Sequence, residues 1–307
     1  MPEVDLLVMG GSGFVGGRTV QAAQAAGLRA ACTYLHRPPP PGVPAFQLDC
    51  GDGHQMAACL EQTRPKGIIY SIVSGKFSSN SDAEHQYASV TVLRVLLDAL
   101  ARLGLSSRVV YISTNAVFSG KDGPYREDCV PDSDLRQDAY RSYGLWRRAG
   151  EVLTLEQWPN SLVARTANVD GRDAWGQLNP RLQGLIDPLR AGQPLARFVD
   201  RGLSPTLVDT LAEALVEVSQ PEFALPRGRI LHLAGCEPVS DFEFARRIAR
   251  KIGADESLVR EDHLLPAGSS ERYSIALDVA FTQSVLETNL HGVNLLLDQV
   301  FDHAPSA

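Results

Sequence analysis

Lysine is scarce in this chain, and the basic residues are outnumbered by the acidic ones. Only four of the 29 basic residues are lysines, and the formal net charge is −7. Such a chain offers no basic field to a nucleic acid, so we expect no nucleic-acid partner. No apolar run reaches the length needed to cross a bilayer, which argues against a membrane-spanning segment.

The cysteines are few and form no recognisable framework. No C-x-x-C pair and no metal-like spacing joins the five of them, which are Cys32, Cys50, Cys59, Cys129 and Cys236. An odd number of cysteines without a signal peptide predicts reduced thiols and a cytoplasmic location. The histidines form no i, i+4 pair either, so we expect no bound metal.

The chain does contain a regular alternation of apolar runs and helical patterns over its first half. Its 44% hydrophobic and 21% charged residues are ordinary for a globular protein. Strands are predicted at 6–9, 28–34, 43–48, 67–73, 108–112 and 161–165, and helices at 14–26, 55–62, 83–103 and about 137–157. This alternation predicts an α/β fold of the Rossmann type, doubly wound around a mostly parallel sheet of seven strands.

The second half of the chain is less regular. Helical patterns cover 178–191, 207–218 and 241–252, with one strand at 229–233. We predict a dinucleotide-binding domain over residues 1–168 and a small C-terminal substrate lobe over 169–307, with segments that return to the core. Four arginines of the lobe are candidates for a diphosphate clamp or for solvated helix faces, namely Arg181, Arg190, Arg197 and Arg201.

A glycine-rich turn joins the first predicted strand to the first helix. Residues 10–16 read Gly-Gly-Ser-Gly-Phe-Val-Gly and fit both G-x-x-G-x-x-G from Gly10 and G-x-G-x-x-G from Gly11. The order strand, turn, helix is typical of a pyrophosphate site, where the backbone approaches closely and free helix N–H groups bind phosphate oxygens. We assign this role to the turn residues Gly10, Ser12, Gly13, Phe14 and Val15.

The end of the second strand indicates which dinucleotide binds. An NAD site usually has a carboxylate there, about 20 residues past the glycines, but residues 34–37 read Tyr-Leu-His-Arg. Arg37 is suited to neutralise a 2′-phosphate, which predicts NADP(H); the alternative is a solvated arginine at the start of a loop. The ends of the later strands predict the remaining cofactor contacts, at Asp49, Cys50, Val73, Ser74 and Asn168.

Several further segments form recognisable motifs. They are Tyr-Ile-Ser-Thr-Asn-Ala-Val-Phe-Ser-Gly at 111–120, Pro-Tyr-Arg-Glu-Asp at 124–128, Tyr143-Gly144 with Gly150-Glu151, Arg-Thr-Ala-Asn-Val-Asp-Gly at 165–171, and Ser-Pro-Thr at 204–206 ahead of Val208-Asp209. With the glycine-rich turn, they resemble the extended short-chain dehydrogenase/reductases. Within that family they are most similar to the branch of dTDP-4-dehydrorhamnose reductase and the regulatory beta subunit of methionine adenosyltransferase.

The resemblance implies a catalytic set. In that family a Ser or Thr polarises a carbonyl oxygen, a Tyr hydroxyl gives this oxygen a proton, and a Lys holds the nicotinamide ribose and lowers the pKa of the Tyr. Thr114 and Tyr143 match the first two, and Arg147 stands at the Lys position. Tyr143 and Arg147 thereby belong to the expected cofactor site as well. Ser89 stands where the family often has a water-relaying Asn, and Tyr140 is the alternative acid.

Two functions remain open at the level of the sequence. Arginine keeps the positive charge of lysine, but it is bulkier and relays no proton. The chain is therefore either an NADP(H)-dependent keto-group reductase or a non-catalytic NADP(H)-binding regulatory subunit. The resemblance implies a small-molecule substrate, most simply a nucleotide-activated deoxysugar, although Tyr273 stands where related reductases often have Pro. Asn115-Ala116 lacks the acidic pair of related dehydratases, and a homodimer is left open.

Overall fold

The computed structural model describes residues 3–39, 42–73, 81–121, 123–266 and 273–302. In chain order its strands are β1 (Leu6–Met9), β2 (Ala30–Tyr34), β3 (Ala45–Gln47), β4 (Gly67–Tyr70), β5 (Arg108–Thr114), β6 (Ser161–Thr166), β7 (Val169–Asp170), β8 (Leu195–Phe198), β9 (Arg201–Leu203), β10 (Thr206–Leu207), β11 (Ile230–His232), β12 (Val239–Ser240), β13 (Val259–Asp262) and β14 (Tyr273–Ser274). Its helices are α1 (Phe14–Ala25), α2 (Gly53–Thr63), α3 (Asp82–Gln86), α4 (Val92–Arg102), α5 (Arg141–Gln157), α6 (Pro180–Arg190), α7 (Val208–Ser219), α8 (Asp241–Lys251), α9 (Ala280–Val285) and α10 (Val293–Asp302).

Seven parallel strands form the central sheet, in the order β11-β6-β5-β4-β1-β2-β3. The last residues of β5 and β6 are level with each other, since Thr114 pairs with Thr166. Because every pair is parallel, the carboxyl ends of all seven strands lie at one edge, where ligands bind in open α/β sheets. The predicted α/β fold, with its doubly wound Rossmann-type sheet of seven strands, is confirmed.

The central strands are mostly apolar because helices cover both faces of the sheet. In β1, Leu6 and Val8 pack with residues of α1 and α7, whereas Leu7 and Met9 pack with residues of α2 and α4. All four side chains are fully buried. Each such side chain contributes roughly 1.5–3 kcal/mol by leaving water, so burial of these strands stabilises the fold.

The residues after β6 add a smaller layer with a core of its own. Helices α6, α8 and α10 enclose this core around Phe244 and Leu296. Its strands are short: β9 lies between β12 and β14, and β8 pairs with β13. One strand of this half, β11, returns to the central sheet, where Ile230 pairs with Val163.

The predicted helix at 83–103 is not continuous. A π-turn at Tyr87–Thr91 separates α3 from α4. The buried hydroxyl of Tyr70 donates a hydrogen bond of 2.6 Å to the carbonyl of Ala88 inside this turn. Turns of this kind are frequent at functional sites because they shift a helix by one residue relative to its neighbours. The other predicted elements of the first half differ from the structure by a few residues at their ends.

Neither a membrane span nor a metal site is found in the described part of the chain. No helix there is long and apolar enough to cross a bilayer. No group of three or more His, Cys, Asp or Glu side chains converges as metal ligands within those ranges. The five cysteines are all unpaired.

Candidate active site

Close packing builds the glycine-rich turn at the carboxyl end of β1. Gly10 has φ +84°, in the left-handed region that favours glycine. The amide of Gly13 donates to the carbonyl of Gly10 at 2.9 Å and closes the turn. A Cβ at Gly16 would lie 2.2 Å from the same carbonyl oxygen, so α1 approaches β1 only because this position has no side chain. Both sequence patterns are served, because Gly10 needs its positive φ and a Cβ at Gly11 would lie 2.4 Å from the Cβ of Cys32.

The N-terminus of α1 offers both donors and space to an anion. Its N-cap residue is Gly13, and no described side chain caps the helix. Among the described residues, a Cβ built on Gly13 would meet a single atom within 4 Å, the Gly10 carbonyl oxygen at 3.2 Å, so this part of the structure leaves the space beside it open. The first-turn amides of Phe14 and Val15 stand at the positive end of the helix dipole, and this arrangement fits a pyrophosphate.

Thr33 and Cys50 connect the next two strand ends to this turn. The Oγ1 of Thr33 accepts from the amide of Gly10 at 3.2 Å and lies 3.6 Å from the Sγ of Cys50. Burial raises the pKa of Cys50 to about 11, so the thiol is protonated at neutral pH. Asp49 is exposed, and its Oδ1 lies 3.4 Å from the hydroxyl of Tyr87. Both predicted residues, Asp49 and Cys50, are therefore at the same sheet edge as the turn.

Arg37 follows β2 and is exposed, as is His36. Its guanidinium carbon lies 3.5 Å from the ring centroid of Trp175, which belongs to the second half of the chain. Among the described residues the Arg37 guanidinium makes no hydrogen bond or ion pair. Its in-plane N–H groups are thus available to a phosphate.

The remaining predicted cofactor contacts follow β4 and β6. Val73 lies just beyond β4 and is 43% exposed, and Ser74 lies outside the described residues. Asn168 follows β6 in a left-handed conformation with φ 45°. Its Oδ1 is buried and has no hydrogen-bond partner within the described ranges. A buried amide oxygen of this kind is suited to accept from an N–H donor of a ligand.

Thr114 ends β5 and is buried. Its Oγ1 accepts from the amide of Ala116 at 3.1 Å and lies 3.4 Å from the Oδ1 of Asn115. The Nδ2 of Asn115 donates to the carbonyl of Ile275 at 2.8 Å, which joins this strand end to the second half of the chain. A Cβ at Gly144 would lie 2.1 Å from the carbonyl oxygen of Ala116. Glycine at this position therefore allows α5 to approach the Thr114 end of the strand.

Tyr143 and Arg147 lie on one face of α5, one helical turn apart. The half-buried ring of Tyr143 is tilted against the ring of His85, with 5.6 Å between centroids. The guanidinium carbon of Arg147 lies 5.5 Å from the ring centroid of Tyr143. The alternative acid, Tyr140, is the N-cap residue of α5 and has the guanidinium of Arg136 at 6.0 Å from its ring. The structure thus brings the predicted pair together and leaves Tyr140 beside another arginine.

Arg147 is fully buried, and within the described residues its hydrogen bonds go to neutral groups, while its Nε has no partner there. Its Nη1 donates to the hydroxyl of Tyr111 at 3.1 Å and to the carbonyl of Ile112 at 3.4 Å, and its Nη2 donates to the carbonyl of Ile72 at 2.8 Å. No carboxylate pairs with this guanidinium in the described residues. A buried cation that pairs with no carboxylate of the described chain therefore lies beside the ring of Tyr143.

The guanidinium of Arg147 keeps its positive charge although it is buried. Burial alone lowers the pKa of Arg147, but the hydroxyls of Tyr111 and Tyr143 outweigh it and hold this pKa above its ordinary value. Burial raises the pKa of Tyr111, against the opposing effects of Arg147 and of a hydrogen bond to Ser89. Arg147 is thus charged and Tyr111 neutral at neutral pH. Ser89 stands where the resembling family often has an Asn. It contacts Tyr111, the residue whose hydroxyl accepts from Arg147.

A second set of cations lies where α6 and β8 meet β9. Arg181 pairs with the buried carboxylate of Asp170, with 3.0 Å between its Nε and Oδ1. Burial lowers the pKa of Arg197, and nearby Arg181 and Arg201 lower it further, although Asp241 opposes them. The Nε atoms of Arg197 and Arg201 are buried without a hydrogen-bond partner in the described chain. Guanidinium groups with unused donors are suited to an anionic ligand.

Tyr273 connects this arginine set to the loop before α5. It pairs with Arg201 in the β14–β9 ladder, and its hydroxyl lies 3.3 Å from the Nη2 of Arg136. A Cβ at Gly120 would lie 2.4 Å from the Tyr273 ring, so the ring fills the space above a glycine. Arg190, another candidate from the sequence, is exposed in the last turn of α6.

Sequence reasoning missed two residues of this region. Tyr111 was indistinguishable from the core residues of an apolar strand, yet its hydroxyl holds Arg147. Trp175 is a single aromatic residue in an irregular segment, and only the folded chain places it on Arg37. A polar atom on an otherwise apolar strand was the one signal available for Tyr111.

Comparison with known proteins gives matches over most of the chain. The family model of the RmlD substrate binding domain matches residues 4–289. A dTDP-4-dehydrorhamnose reductase of Mycobacterium tuberculosis is 33% identical over 197 residues, which is 62% of this chain and 59% of that protein. The match thus spans less than two thirds of that relative's length. Methionine adenosyltransferase 2 subunit beta of Xenopus tropicalis is 23% identical over 234 residues, 75% of this chain and 67% of the relative.

Solved structures agree in fold. The dTDP-4-dehydrorhamnose reductase of Bacillus anthracis, in complex with NADP, superposes with a TM-score of 0.74 at 20% identity and covers 98% of this chain and 99% of its own. Other structures of the same fold are complexes with NAD. The chain belongs to the RmlD substrate binding domain family, and the resemblance found in its motifs is confirmed.

Proposed function

We propose that this member of the RmlD substrate binding domain family is an NADP(H)-dependent reductase of a keto group. The observation that carries the proposal is the buried Arg147 cation, which has no carboxylate partner among the described residues and lies beside Tyr143 at the carboxyl edge of the sheet. When bound, the cofactor supplies a hydride to the carbonyl carbon. The roles of the chain's own residues then follow from their positions.

Tyr143 is the proton donor in this proposal, and Thr114 polarises the same carbonyl oxygen through its hydroxyl. Arg147 stabilises the negative charge that Tyr143 acquires when it gives up its proton, and it remains charged itself. A positioned general acid typically contributes roughly 10²–10⁴ in rate, so the loss of its hydroxyl is measurable.

The proposed substrate is a nucleotide-activated deoxysugar or a related natural-product intermediate. The unused guanidinium donors of Arg197 and Arg201 support an anionic substrate such as a nucleoside diphosphate. The name of the Mycobacterium tuberculosis relative supports the same class. Reductase activity is tested with NADPH and a panel of keto sugars, each offered with and without a nucleoside diphosphate, by the loss of reduced-nicotinamide absorbance. Turnover restricted to the nucleotide-linked members supports both the reaction and the class.

We expect NADPH to bind at least about tenfold more tightly than NADH, which corresponds to about 1.4 kcal/mol. The reason is the exposed guanidinium of Arg37, whose N–H groups are unused among the described residues, at a strand end without a carboxylate. Calorimetric titration with both dinucleotides measures the ratio. Equal affinities, or tighter NADH, would contradict the assignment of NADP(H).

Two variants calibrate that measurement. Arg37→Leu is expected to bring the two affinities close to each other by weakening NADPH alone. Arg227→Leu removes another exposed arginine, which precedes β11 and so lies at the opposite edge of the sheet. It is expected to leave the ratio as in the wild type.

A second function has one observation in its favour. Each hydrogen bond that Arg147 makes within the described chain goes to a neutral group of the chain itself, so the guanidinium is held without a cofactor, although its buried Nε has no partner there. A non-catalytic NADP(H)-binding subunit has no need of a lysine there, and the likeness to methionine adenosyltransferase 2 subunit beta points the same way. Dinucleotide binding without turnover on any member of the panel would favour this function.

Arg147→Lys is expected to lower turnover by at least about tenfold, although it restores the residue that the family has at this position. A lysine has one nitrogen for the acceptors on Tyr111 and Ile72, and each buried acceptor left unpaired costs roughly 1–3 kcal/mol. Steady-state kinetics and thermal unfolding measure the two effects. A faster variant would instead identify Arg147 as an impaired substitute in a pocket shaped for lysine.

A further inference from the structure

Trp175 is stacked on the one cation that the cofactor assignment depends on. The guanidinium carbon of Arg37 lies 3.5 Å from the Trp175 ring centroid, which is within van der Waals contact. Stacking of this kind covers one face of a guanidinium and leaves its in-plane N–H groups uncovered. Trp175 therefore restricts where the guanidinium can be without using any of its donors.

The segment that carries Trp175 is held in a defined conformation. The Oδ1 of Asp173 accepts from the amides of Trp175 and Gln177, both at 2.9 Å. The amide of Asp173 donates in turn to the carbonyl of Gln177 at 2.8 Å. The guanidinium of Arg172 donates to the carbonyl of Gly176 at 2.9 Å and so closes the segment from its other side. These hydrogen bonds hold the backbone that carries the Trp175 ring.

The same segment rests on the helix that begins at the glycine-rich turn. A Cβ at Gly17 would lie 2.9 Å from the Cβ of Ala174, so the two backbones are in close approach. The Nε2 of Gln21 donates to the carbonyl of Ala174 at 3.1 Å. Trp175 is thus fixed relative to the proposed pyrophosphate site, although it comes from a different half of the chain.

We propose that Trp175 is a specificity-determining residue for the cofactor: it holds the guanidinium of Arg37 in position for the 2′-phosphate of NADP(H). The inference rests on the proposed function, since it requires Arg37 to meet that phosphate. An arginine at the start of a loop loses considerable side-chain freedom when it binds an anion. Stacking on Trp175 removes part of that freedom beforehand, so the phosphate meets a guanidinium that is already oriented.

The test compares Trp175→Ala with the wild type by calorimetric titration of NADPH, NADH, adenosine 2′,5′-bisphosphate and AMP. A stack at an exposed site is worth about a fivefold change in affinity. We expect the two ligands with a 2′-phosphate to bind about fivefold more weakly to the variant and the other two to bind as before. Trp175→Phe retains a face for stacking and is expected to recover most of the loss.

Trp158→Phe is the matched control. This tryptophan ends α5 at the opposite edge of the sheet, where its Nε1 donates to the carbonyl of Ser107 at 2.8 Å, so its replacement is expected to change no affinity ratio. A merely structural role of Trp175 would weaken all four ligands equally, and that result overturns the inference. If the ratio of NADPH to NADH affinity is unchanged in Trp175→Ala, the role of Trp175 is overturned, but the proposal that the protein binds NADP(H) is not. A wild type that binds neither dinucleotide overturns the proposed function and this inference together.

Discussion

Replacing Tyr143 with phenylalanine is expected to reduce turnover by roughly 10²–10⁴ while leaving the affinity for NADPH within a factor of two. The substitution removes one hydroxyl and keeps the ring that packs against His85 and lies 5.5 Å from the guanidinium carbon of Arg147. The proton donor is lost, but the shape and charge of the site are retained. Single-turnover kinetics with saturating NADPH isolates the chemical step from product release.

Tyr140→Phe is the control for this experiment because it removes the same group three residues away. Tyr140 is more exposed and lies beside Arg136 rather than Arg147, so the variant is expected to keep at least half of the wild-type turnover. The reverse result, with normal turnover in Tyr143→Phe and a large loss in Tyr140→Phe, would make Tyr140 the acid. A rate that neither variant lowers would remove both tyrosines from the chemistry.

Replacing Gly13 with valine is expected to weaken dinucleotide binding by more than about a hundredfold, or about 2.7 kcal/mol, in a protein that still folds. The side chain would enter the open space beside the N-terminus of α1, where the pyrophosphate is proposed to lie. The backbone of Gly13 has φ −80° and ψ 170°, which a valine adopts without strain. Fluorescence titration with NADPH and thermal unfolding report binding and stability separately.

Valine substitutions at two other glycines are the controls for the Gly13→Val experiment. Gly184 lies on α6, and no described atom lies within 4 Å of a Cβ built there, so Gly184→Val is expected to bind NADPH normally. Gly16→Val is expected to prevent folding, since its Cβ would overlap the carbonyl oxygen of Gly10 at 2.2 Å. Normal NADPH affinity in Gly13→Val would show that the turn binds no phosphate.

The sequence predicts those parts of the molecule whose cause is local. The run Leu6–Met9, the glycines after it and the helical pattern that follows are adjacent in the chain, and they specify a strand, a turn and a helix together. The positions of Arg37, Asp49 and Asn168 at one edge then follow from the parallel sheet alone, because such a sheet aligns its carboxyl ends.

Features that depend on contacts between distant residues are beyond such reasoning. In the π-turn at Tyr87–Thr91, the carbonyl of Ala88 accepts a hydrogen bond from the hydroxyl of Tyr70. The sequence pattern of the helix does not predict this contact. The direction of the Arg147 guanidinium depends on Tyr111 and Ile72, which come from two different strand ends. The motif identifies the position of Arg147 but not the acceptors that its side chain reaches.

The short strands of the second half are hard to predict for a different reason. β7 and β10 contain two residues each, which is too few for an alternating pattern to be recognised. The stack of Trp175 on Arg37 joins residues that are far apart in the chain and differ in chemistry. Proximity of this kind follows from the packing of the 171–177 segment on α1, which only the three-dimensional structure supplies.

The late arrival of β11 has a consequence for biosynthesis. β11, which pairs with the outer edge of β6, is about 60 residues further along the chain. At ordinary synthesis rates β11 is therefore made several seconds after β6. During that interval the backbone groups of Leu162, Val163 and Ala164, which are fully buried in the finished protein, form an open edge able to pair with another nascent chain. Slow translation after β6 would lengthen this exposure.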